Sequence, residues 1–91
     1  RPVTDSEIEA FILAIDAQKV ARQDARSACG AMPVPEKYDC SGRMVERAVG
    51  EIEGMSYARY VEIMTAVSSN AYPGLTGRVR QVVRRNNAGE R

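Results

Sequence analysis

The stretch Cys29-Gly30-Ala31-Met32-Pro33-Val34-Pro35-Glu36-Lys37-Tyr38-Asp39-Cys40 has a thiol at each end and helical patterning on both sides, and it is where the chain turns back. Gly30 suits the left-handed residue that ends a helix, and Pro33 and Pro35 bar any helix from running through. The cysteines then stand at the feet of two helices. They are the only two in the chain, so the natural reading is a Cys29–Cys40 disulfide confining the turn, with two free thiols in a reducing cytosol as the alternative. On the chain-entropy account a loop of this size contributes about 3 kcal/mol. With no His and no further Cys, thiolate and imidazole cannot complete a four-ligand zinc site.

On the N-terminal side, Arg1 to Thr4 form a lead-in, and Thr4-Asp5-Ser6-Glu7 reads as a capping box. The Thr4 hydroxyl accepts from the Glu7 N–H while the Glu7 carboxylate reaches back. The helix that starts here runs from about Asp5 to Ala28, about 36 Å at 1.5 Å per residue. Ile8, Phe11, Ile12 and Ile15 give it a bulky stripe. Ala10, Ala14, Ala17, Ala21, Ala25 and Ala28 then recur at helical spacing, which lets another helix approach closely. Either the returning helix packs there, or the small stripe around Ala17, Ala21 and Ala25 is offered to a second protein, because Gln18, Lys19, Arg22, Gln23, Asp24 and Arg26 leave few large apolar groups nearby.

On the C-terminal side, Asp39 or Ser41 would cap a helix from about Gly42 to Glu53, with Met44, Val45, Ala48, Val49 and Ile52 on one face and Gly54 ending it. Met55 and Tyr60 form a hydrophobic staple around an N-cap at Ser56. From Tyr57 to about Ser69, Tyr60, Ile63, Met64 and Val67 make the buried stripe, with Arg59 and Glu62 outside. Residues 70–74 break the pattern, and Pro73 suits the first turn of a shorter last helix. Leu75, Val79, Val82 and Val83 form its apolar face, and Arg78, Arg80, Arg84 and Arg85 the other. Residues 86–91 have the composition of a frayed tail. The fold expected is one all-α domain over residues 1–91, three main helices plus a short C-terminal one, with a disulfide-closed hairpin.

Composition narrows the class. Apolar residues make up 44% of the 91 positions, many of them Ala, with no Trp and one Phe, so the core is thin and a staple helps. No apolar run approaches the ~20 residues that span a bilayer. The chain opens on Arg1 rather than Met. Together with the cysteine pair this leads to the expectation of an exported protein, periplasmic or secreted, with its leader removed. Residues 1–54 carry seven basic and ten acidic groups, residues 55–91 six and two. The chain is a charge dipole along its sequence.

Catalytic chemistry finds little support. Without His the usual general base is missing, no carboxylate pair stands out, and no cofactor is implied. Small secreted chorismate mutases offer one enzyme-class resemblance, through Lys19, Arg22, Arg26, Arg43, Arg47 and Gln81, but Pro33 and Pro35 interrupt the long first helix that this fold requires. The basic face at Arg78, Arg80, Arg84 and Arg85 suits an acidic protein surface or anionic lipid headgroups. Nucleic acid is disfavoured, because no aromatic side chain is interleaved for base stacking.

The run Met44, Val45, Ala48, Val49, followed by Gly54-Met55-Ser56, Tyr60 and Ile63, and by Leu75, Arg78 and Val79, resembles a family of exported bacterial all-helical proteins catalogued as a domain of unknown function, four-one-six-eight type. Ile8, Phe11 and Ala14 extend the likeness into the first helix, while residues 29–43 depart from the family pattern. The resemblance implies export and an all-helical fold, and transfers no active residues. The function these readings favour is a non-enzymatic interaction module, an accessory subunit of a larger extracytoplasmic or membrane-bound assembly, with Ala17, Ala21, Ala25, Arg78, Arg80, Arg84 and Arg85 as its partner-binding candidates. A chorismate-mutase-type enzyme and a periplasmic holdase are the alternatives.

Overall fold

A computed structural model describes residues 2–69 and 73–89. Four helices follow one another, α1 (Asp5–Ala28), α2 (Val34–Gly50), α3 (Tyr57–Ser69) and α4 (Pro73–Gly89), and no strand occurs among the described residues. The chain is a small all-α bundle with extents of 42 × 33 × 20 Å. α1 starts at its capping box, with Glu7 N–H donating to Thr4 Oγ1 at 3.1 Å and Thr4 N–H to Glu7 Oε1 at 3.2 Å. Asp5 and Glu7 place negative charge at the positive end of the helix dipole.

The turn is much shorter than a loop running to Cys40. α2 begins at Val34, with Pro33 as N-cap and Pro35 in its first turn, so neither Asp39 nor Ser41 caps it. Proline ends a helix in its interior but begins one readily, since its φ is preset and the first turn needs no N–H from it. Cys29 therefore caps the end of α1, while Cys40 lies well inside α2 rather than at its foot. Their disulfide, with Cα atoms 6.0 Å apart, bolts one helix to the flank of the other. Gly30 is also explained differently: a Cβ there would lie 2.3 Å from the Arg26 carbonyl oxygen, so close approach excludes a side chain. The positive φ belongs to Gly54, at 81°, in the turn that follows α2. α2 itself stops at Gly50, where the Ile52 N–H bonds to the Val49 carbonyl and tightens the chain into that turn.

The core is built around α1 in two clusters, one shared with α2 and α3 and one with α4. Phe11 and Ala14 from α1, Val45 and Val49 from α2, Met55, and Tyr60 and Ile63 from α3 make one buried cluster. Ile8, Leu75 and Val82 make a second, which docks α4 on α1. The staple is in place: Met55 and Tyr60 are both buried, and Ser56 Oγ accepts from the Arg59 N–H at 3.1 Å. Ala21 and Ala25 are buried along α1, whose packing partner over its second half is α2, so the returning helix occupies that part of the small stripe.

α4 is not short. It has 17 residues, as many as α2, and it takes in residues 86–89, where a frayed tail is expected; residues 90–91 and the expected break at 70–72 lie outside the described residues. Asparagine lowers helix propensity by only a few tenths of a kcal/mol, and with no proline in this segment nothing stops the helix before Gly89. Val83 stands at the edge of the apolar face, 37% exposed and outside the cluster that buries Leu75 and Val82.

Arg59 is the largest departure. It is 8% exposed rather than on the surface: its Nε donates to Glu7 Oε2 at 2.8 Å, its Nη1 to Glu62 Oε2 at 2.9 Å, and its Nη2 to the Pro2 carbonyl at 3.1 Å. These bonds hold the guanidinium's proton even more tightly than usual, the Glu7 hydrogen bond most of all, against the opposing effect of desolvation. A second ion pair, Arg78 Nη2 to Asp5 Oδ1 at 2.7 Å, joins α4 to the start of α1. The Arg78 hydrogen bond and charge, with a smaller contribution from Arg85, hold the Asp5 carboxyl below its ordinary value of 3.8. A depressed carboxylate contributes stability that is complete above its unfolded value and is lost as pH falls through the folded one. Asp5→Asn should therefore flatten the loss of stability on acidification below about pH 4, read by denaturant unfolding at stepped pH.

Candidate functional site

Beyond the four-helix core, α1 and α2 continue as a two-helix arm that ends at the turn. On one side of the arm the helices leave an open depression of about 650 Å³. Ala17, Ala21 and Ala48 lie at its floor with Met44 and Ile52, and the small alanines are what allow the two backbones to come this close. Val20 stands 56% exposed on its wall, and Leu13, seven residues earlier, is 57% exposed. That spacing puts the two leucine and valine side chains on one strip of the helix, with Ala17 between them. Asp16, Asp24 and Glu51 stand around the floor with a single cation, Arg47.

A second depression, of about 720 Å³, shares Met44 and Arg47 with the first and carries the surface over α2 to Met32 at the turn. It adds Glu36, Asp39 and Glu46 against one further cation, Arg43, which is paired with Asp39 at 2.9 Å. The combined surface thus has an apolar floor and an acidic border.

Of the partner-binding residues expected from the sequence, Ala17 and Ala21 line this groove, while Ala25 is buried against α2. The arginines are elsewhere. Arg78 is committed to Asp5, and Arg80, Arg84 and Arg85 are exposed on α4. Of the six residues of the mutase-like set, Arg43 and Arg47 line the second depression together, and Lys19, Arg22, Arg26 and Gln81 are not in its lining. Among the described residues no group of three or more His, Cys, Asp or Glu side chains is placed to hold a metal ion.

The acidic border is invisible to a search for catalytic pairs, since Asp16, Asp24 and Glu51 are separate in sequence and meet only across two helices. Leu13 and Val20 were the available signal: two large apolar residues seven apart, off the main stripe. Tyr60 belongs to the core rather than to the groove. It packs against Phe11 with ring centroids 5.3 Å apart, its hydroxyl donates to Gln18 Oε1, and burial pushes the phenol's pKa up.

Fold and groove together define a class, a disulfide-stapled all-α bundle with an open groove between its first two helices. No family model, curated protein or solved structure matches the chain. No helix among the described residues is long and apolar enough to cross a membrane.

Proposed function

We propose that this protein is a non-enzymatic interaction module, exported to the periplasm or beyond, that serves as a subunit of a larger extracytoplasmic or membrane-bound assembly. One observation carries the reading: the α1–α2 groove keeps Val20 more than half exposed above a half-buried apolar floor, and Leu13, equally exposed, extends that strip along α1. A two-helix groove with an apolar floor and an exposed apolar strip on one wall is a shape that can receive a third helix. The disulfide supports an oxidising compartment, and the resemblance to the exported four-one-six-eight family points the same way.

The test is the native mass of the protein in a mild-detergent extract of its source, separated by size exclusion without reductant. Elution far above the 10.0 kDa of the chain is expected, with mass spectrometry of that fraction naming the companions. Elution at the monomer position at every extract concentration would overturn the proposal.

A further inference from the structure

We infer that the α1–α2 groove receives the outward face of α4 from a second copy of this chain, so that copies join head to tail. The inference rests on the reading of the protein as an interaction module and names the partner. Charge selects the occupant. The groove and the depression adjoining it carry six carboxylates, Asp16, Asp24, Glu36, Asp39, Glu46 and Glu51, against two cations. α4 contains four arginines and no acidic residue.

The arginines of α4 divide by face. Arg78 and Arg85 are seven apart and turn toward α1, the first bonded to Asp5 and the second close enough to help hold the Asp5 carboxyl ionised. Arg80 and Arg84 are four apart on the other side, and Val83, 37% exposed, borders them. This outward strip, two guanidiniums beside a partly exposed valine, is the chemical complement of an apolar floor bordered by carboxylates. Lengths also agree. At 1.5 Å per residue α4 is about 25 Å long, and the α2 wall from Glu36 to its end at Gly50 spans about 21 Å. Because the donor strip and the groove are different surfaces of one molecule, the contact is heterologous and each copy can give and receive.

The experiment is sedimentation of the purified, oxidised protein in the analytical ultracentrifuge, up to about 1 mM, at low and high salt. Species larger than a dimer are expected at low salt, with association about tenfold weaker at high salt as exposed charge pairs are screened. Arg80→Gln with Arg84→Gln, and separately Asp24→Asn with Glu51→Gln, should each weaken association about tenfold or more. These four side chains are exposed, so the variants keep the fold. Mixing the two variants is the decisive step. The first retains only its groove and the second only its α4 strip, so the mixture should form a one-to-one pair that neither forms alone and that does not grow.

A monomeric parent protein at low salt overturns the inference, as does a parent that associates with unchanged strength in both variants, or a mixture that stays monomeric. If the purified chain is monomeric while the native extract shows a large assembly built with a different subunit, the second copy is ruled out as occupant and the interaction-module reading stands.

Discussion

Arg59→Met is expected to destabilise the fold by about 3 kcal/mol, the lower end of the range for breaking a buried ion pair by removing one partner. The arginine reaches from α3 to Glu7 in the first turn of α1 and to the Pro2 carbonyl of the lead-in, and it also bonds Glu62 within its own helix. Glu62 is solvated, with its side chain 65% exposed, and loses little. Glu7 is not: its side chain is 15% exposed, and without the guanidinium it keeps a charge that solvent only partly reaches. Most of the cost is that carboxylate's loss of its counter-charge, since it keeps the Thr4 N–H hydrogen bond, rather than the pair's own attraction. Glu7→Gln in the Arg59→Met background should therefore recover part of the loss, whereas independent sites would add. Urea unfolding of the single and double variants measures it. A loss below about 0.5 kcal/mol for Arg59→Met would mean that the cluster behaves like an exposed surface pair.

Why α1 and α3 were legible in the sequence, and this pair was not, has a physical reason. Thr4 to Glu7 and Met55 to Tyr60 are local signals, in which cap, staple and periodicity act within a few residues, and the structure has both as read. Glu7 and Arg59 are 52 residues apart, and nothing in either helix announces the partner. Arg59 sits on the edge of a helix face, where solvated and buried arginines have the same sequence neighbours. The groove was hidden in the same way: its floor alanines were visible as a stripe, but whether α2 would cover all of that stripe depended on how the two helices cross. α2 covers Ala21 and Ala25 yet leaves Ala17 beside Val20 at an open edge. Proline misled in the other direction. Pro33 and Pro35 read equally as a stop and as a start, and only the placement of Cys40 inside α2 distinguishes the two.

Cys29→Ala with Cys40→Ala is expected to cost about 3 kcal/mol, a large share of the stability of a small domain. The bond spans 11 residues of sequence, and its effect in the chain-entropy account lies in restricting the unfolded state. The folded state adds a local consequence. Every residue from Gly30 to Asp39 is exposed, and the first buried side chain of α2 is Val45. The opening turns of α2 are thus tied to α1 by the disulfide and by the Cys29 sulfur packed 3.7 Å from that of Met44, with no apolar side chain of their own to hold them down. Without the bond these turns should open separately from the core. Amide exchange over residues 34–40 should then accelerate by far more than exchange at Val45 or Val49, which remain packed against Phe11, Ala14 and Ile63. Equal acceleration throughout α2 would show that the helix opens as one unit and that the staple acts only on the unfolded chain. Localised acceleration would show that the bond also holds the opening turns of α2, and with them the far end of the groove surface from Glu36 to Met44, closed against local unfolding.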